Sequence, residues 1–142
     1  MKKVLLALSI VLFLVGCDSK TNNNRQISEV GAHLTCHLNI EDCTQEFNGK
    51  TTEISFTPKP IRAMMPTTLR ITNLGDYENL SVIVSGVNMD MGKIHANFVK
   101  KGDVHEANIM FSACVGDMLY EGVLYNDKEP IGYKFEIVIG IF

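Results

Sequence analysis

The sequence predicts an all-β chain, an antiparallel immunoglobulin-like β-sandwich of seven or eight strands. Three observations carry that reading. From residue 33 onward, apolar side chains recur at every second position in one short segment after another, the period of a half-buried strand. Clusters of Asn, Asp, Gly and Pro separate these segments and read as turns. No stretch after residue 17 shows the 3.6-residue apolar period of a helix. A closed barrel is the alternative arrangement for such strands.

The segments follow in order. HLTCHLNI, residues 33–40, alternates Leu34, Cys36, Leu38 and Ile40 with polar positions. TTEISFT, residues 51–57, places Thr52, Ile54 and Phe56 on one face, and Pro58 and Pro60 then break the pairing. TTLRITN, residues 67–73, aligns Leu69 with Ile71 before a turn at 73–76. LSVIVSGV, residues 80–87, aligns Leu80, Val82 and Val84. Residues 105–112 align Ala107, Ile109 and Phe111. MLYEGVLY, residues 118–125, is rich in strand formers and closes at Asn126–Pro130. GYKFEIVI, residues 132–139, sets Tyr133, Phe135, Ile137 and Ile139 against Lys134 and Glu136. His33, His37 and His105 are read as surface positions.

The first residues predict export rather than folding. MKKVLLALSIVLFLVGC opens on two lysines, continues with an apolar run and ends Leu14-Val15-Gly16-Cys17. The run is shorter than the ~20 residues that span a bilayer. Its ending resembles the bacterial lipobox, which implies a signal segment at 1–16 and a lipid-modified Cys17. An uncleaved anchor or an ordinary secretory signal are the other readings. The resemblance to lipoproteins also makes Asp18 point to retention at the inner membrane. Residues 17–32 are polar and read as a tether, leaving 33–142 for one domain. Removing Lys2 and Lys3 takes the formal charge from -3 to -5. A mildly acidic domain without a basic tract argues against nucleic acid.

Catalytic signatures such as GxSxG, HExxH, a glycine-rich phosphate loop or CxxC are absent from the sequence. The expectation is a non-enzymatic protein. Soft-metal donors are the stronger signal. Met89, Met91, His95, Met110, Cys114 and Met118 lie within thirty residues. Thioethers and thiolates match Cu(I), and imidazole suits copper in either oxidation state. On a strand, Met89 and Met91 would share one face, with Asp90 opposite and Gly92 opening the turn. Cys114 falls in FSACVGDM, which reads as a hairpin turn; turns of a sandwich cluster at its two ends, and the sequence leaves open which end holds this one. Met89, Met91, Cys114 and His95 are therefore the candidate copper ligands. The competing roles are packing or a rim position for the methionines and a solvated position for His95. Met64 and Met65 lie in a proline-flanked loop and read as packing.

With Cys17 assigned to lipid, Cys36, Cys43 and Cys114 remain. In an oxidising compartment two of them pair. A Cys36–Cys43 bridge closes a small loop worth roughly 2–3 kcal/mol. A bridge from Cys114 to either one is the alternative and would remove Cys114 from a metal site.

LSVIVSGVNMDMG, followed by further strands and an apolar strand containing YKFEI, resembles the YtkA-like and FixH-like group of exported domains. The resemblance spans about residues 50–140, and its specific phrase is Val87–Gly92, where Met89, Met91 and Gly92 match. Some members also look similar at Cys36, Cys43 and Cys114. Where that group commonly has Gly-x-Trp, this chain has Met118-Leu119-Tyr120 and no tryptophan at all. The resemblance implies a β-sandwich in envelope copper handling or oxidase assembly; with the lipobox-like ending, the expectation is a lipid-anchored periplasmic protein with a protein partner in copper delivery. A metal-free interaction module is the alternative.

Overall fold

Apolar–polar alternation builds nine strands among the residues that the computed structural model describes, 29–112 and 114–140. The signal segment expected at 1–16, the expected lipidation site Cys17 and Asp18 lie outside the described residues. The strands are β1 (Cys43–Phe47), β2 (Lys50–Thr57), β3 (Pro66–Thr72), β4 (Leu80–Gly86), β5 (Lys93–Asn97), β6 (Val99–Lys101), β7 (Val104–Met110), β8 (Met118–Asn126) and β9 (Glu129–Ile139). They form a five-stranded sheet in the order β1-β2-β3-β7-β6 and a four-stranded sheet in the order β5-β4-β8-β9. Every pairing is antiparallel. The chain is a β-sandwich, as the alternation predicts.

The inward faces supply one core. Leu69 and Ile71 of β3 and Phe56 of β2 are buried with Val82 and Val84 of β4 and Tyr133 and Ile137 of β9. Each such side chain taken out of water contributes about 1.5–3 kcal/mol. Aromatic edges join the sheets: Phe56 meets Phe135 at 5.7 Å and Phe111 at 5.9 Å between ring centroids, and Phe111 meets Tyr120 at 5.1 Å. Gly122 is required by this packing. It pairs with Phe135 across β8 and β9, and a Cβ at Gly122 would enter the Phe135 ring. The buried Tyr133 hydroxyl is satisfied by the Thr52 hydroxyl at 3.0 Å.

Several expectations need correction. HLTCHLNI is a run of turns, not a strand. The Ile40 and Glu41 amides both donate to the His37 carbonyl, and the Glu41 carboxylate accepts from the His37 amide at 2.8 Å. Leu38 is buried from that turn, so the alternation reflects anchoring rather than pairing. Three short strands, β1, β5 and β6, were not foreseen, which makes nine rather than seven or eight. Glu29–Gly31, assigned to the tether, form a 3-10 turn on the sandwich. A Cβ on Gly31 would stand 2.5 Å from a Val138 methyl. His105 is not on the surface. It shares the inward face of β7 with Ala107 and Ile109 and is 1% exposed.

Topology decides what meets at each end. Pro66 pairs with Met110, so the β2–β3 connection and the end of β7 lie together. Gly86 pairs with Tyr120, so the end of β4 lies beside the start of β8. The 111–117 segment joins β7 of one sheet to β8 of the other. It is a crossover between sheets, not the hairpin turn predicted. Residues 58–65, 87–92 and 111–117 therefore converge on one end of the sandwich.

Candidate metal centre

β4 ends at Gly86, so Met89 and Met91 stand in a loop rather than on a strand. The loop folds back because Gly86 has no side chain. A Cβ there would collide with the Met89 carbonyl and lie 3.1 Å from the Met118 methyl. Asn88 then fastens the loop to β8. Its side-chain oxygen accepts from the Leu119 amide at 2.9 Å, and its side-chain nitrogen donates to the Asp117 carbonyl at 2.9 Å. The Val87 amide adds a bond to the Leu119 carbonyl at 2.7 Å. Asp90 has a local role: its carboxylate accepts from the Gly92 amide at 2.9 Å, and Gly92 takes the left-handed φ of 78° that suits glycine.

The same folding separates the two methionines. Met89 is exposed at the tip, while Met91 is half-buried against the core. The shared strand face expected of them is absent, because strand parity ends with β4.

Cys114 comes to this loop from the crossover. Tyr120 steadies that segment by donating its hydroxyl to the Ser112 carbonyl at 3.2 Å. Burial pushes the Tyr120 phenol above its usual pKa, which keeps it a donor. The Cys114 thiol points at Met89, with Sγ 3.0 Å from Sδ. Cys36 and Cys43 are joined to each other, with Cα atoms 6.0 Å apart. Cys114 is therefore the free cysteine of the described residues, and the alternative bridge is not formed.

The other candidates stand apart from this contact. His95 lies on the exposed face of β5, where Ile94 and Ala96 turn inward. It sits three residues along the strand from Gly92, roughly 10 Å at the usual rise. Met118 is buried in the core. Among the described residues, no three His, Cys, Asp or Glu side chains gather to hold a metal. What the fold brings together here is sulfur.

The remaining methionines of this end include Met110, a soft donor in the sequence reading though not a candidate ligand. Met64 and Met65 were assigned to packing but are 61% and 55% exposed, and Met110 is 47% exposed, like Met89. All six methionines after Met1 belong to the three converging segments or to the strand residues that border them. Exposed Val87 and Val115 lie among them. The signal that would have revealed this is the turn chemistry: methionine is not a turn former, yet it recurs in the loops of one end only. No family model, curated protein or solved structure matches the chain.

Proposed function

We propose that this is a non-enzymatic, lipid-anchored protein of the bacterial envelope that binds Cu(I) through Met89 and Cys114 and passes it to a protein partner. The observation that carries the reading is the 3.0 Å approach of the Cys114 thiol to the Met89 thioether. A thiolate and a thioether are both soft, polarizable donors, and that pairing selects Cu(I) over the hard divalent ions. Met91, two residues along the same loop, is the third donor of this reading. His95, on the exposed face of β5 beyond that loop, ranks behind it.

The position of the pair suits a carrier. It lies on a solvent-facing end where a partner can reach the metal. The lipobox-like Leu14–Cys17 supports anchoring by lipid, several acyl chains being enough for stable attachment. Asp18 favours the inner membrane. The phrase Val87–Gly92 and its likeness to the FixH-like domains support a place in copper handling or oxidase assembly.

A competitive Cu(I) titration of the full chain in mild detergent, against a chromogenic chelator under anaerobic conditions, tests this. The expected result is a Cu(I) held at this pair that Met89→Leu weakens and Cys114→Ser weakens further, each by at least an order of magnitude. Unchanged binding in the double variant would sink the Met89–Cys114 site. The exposed Val87, Val115 and methionines favour a second reading, a metal-free surface for a protein partner. In that case anaerobic purification with excess copper yields protein that holds none.

A further inference from the structure

We infer that Met64, Met65 and Met110 form a second, thioether-only Cu(I) site, on the five-stranded-sheet side of the same end. The choice of metal rests on the soft-donor reading above, but the residues are separate. Three observations carry it.

The first is the backbone of Met64. It holds φ at 62°, in the left-handed region that disfavours ordinary side chains. The other non-glycine residues in that region among the described residues are Asn48, Asn73 and Asp127, which tolerate it. Asn or Gly at 64 would serve the turn with less strain, so the turn alone does not explain the methionine.

The second is exposure. None of the three is in the core, and all are about half open to water or more. A role as gap-filler is therefore excluded for them.

The third is convergence. The Met64 amide donates to the Phe111 carbonyl at 2.7 Å, which sets Met64 beside the residue after Met110. Pro66 lies directly across from Met110 in the β3–β7 ladder, and Met65 precedes it. Three long, flexible side chains thus leave neighbouring stretches of backbone at one end of the sheet.

The test uses the full chain in detergent with 13C-methyl methionine, followed by NMR while Ag(I), a redox-inert stand-in for Cu(I), is added. The methyl signals of Met64, Met65 and Met110 are expected to move together and saturate over one equivalent. They should do so with the second equivalent in the wild type and with the first in Met89→Leu/Cys114→Ser. In Met64→Leu/Met65→Leu/Met110→Leu, where side-chain volume is kept, one equivalent is lost while the Met89 signal still shifts. Movement of Met89 alone overturns the second site and leaves the first standing. Movement of the three in the Met89/Cys114 double variant, without any wild-type Met89 shift, does the reverse.

Discussion

The two ends of the sandwich solve the same problem with different residues. At one end the connections between strands use Asn48-Gly49, Asn73 to Asp76, Gly102-Asp103 and Asp127-Lys128. These are residues chosen by the backbone: Asn48, Asn73 and Asp127 take left-handed φ, as do Gly49 and Gly102. Charge finishes that end, with Lys100 against Asp76. At the other end the connections carry Met64, Met65, Met89, Met91 and Cys114. There the backbone is managed by small residues such as Gly86 and Gly92 and by the Asn88 side chain, while the sulfur residues stand free of the core or at its rim. One end is built to turn the chain. The other is built to turn the chain and present sulfur.

The sharpest way to break this contrast is to alter one glycine at each end. Gly86→Ala should destabilise the fold by about 1–3 kcal/mol, because the new Cβ meets the Met89 carbonyl in a loop that Asn88 fastens to β8. It should also move Met89 from Cys114 and weaken Cu(I) binding. Gly49→Asn, at φ 75° with open space around it, should cost less, about 1 kcal/mol or below, because asparagine tolerates the left-handed region and meets no neighbour there. Denaturation midpoints of the two variants test the pair; equal effects would mean the Met89 loop is not seated on Gly86.

A smaller effect is expected from His105, which faces the interior from β7 toward the turn-forming end. Burial lowers its pKa from the usual 6.5, against the opposing effect of the Tyr77 backbone beside the ring. Phe98 packs edge-on against the ring at 6.3 Å, with Lys100 opposing protonation and Asp76 favouring it from the same region. A depressed histidine keeps the fold at full stability above the unfolded pKa. Stability then falls as the pH drops from 6.5 toward the folded value, because the unfolded chain takes up the proton first. The carboxylates held low by Lys100 and Lys101, Asp76 and Glu106, add their own loss at more acid pH. His105→Leu should flatten the slope of stability between about pH 7 and 5. A slope unchanged by that substitution would place its origin elsewhere.

Much of the fold was legible because long strands with one wet face announce themselves. β2, β3, β4, β7, β8 and β9 were read close to their observed limits. β5 and β6 were missed because they are short edge strands with few buried side chains, and β6 has none. HLTCHLNI imitated a strand because a disulfide and Leu38 anchor its turns to the core at alternate positions. His105 was misplaced although its parity matched Ala107 and Ile109, a reminder that the period of two assigns polar residues as well as apolar ones. The candidate site divides along the same line. Met89 and Cys114 could be chosen by chemistry, but their meeting depends on β4 pairing with β8 and on the chain crossing between sheets after β7. Neither is written in local periodicity.

The central claim is that Cys114 and Met89 act as one soft pair. The most direct measurement is the alkylation rate of Cys114 in the full chain, with and without one equivalent of Cu(I). Bound copper should slow alkylation by at least an order of magnitude, and Met89→Leu should restore much of the rate at the same copper concentration. A Cys114 that reacts equally fast with and without copper would contradict the account.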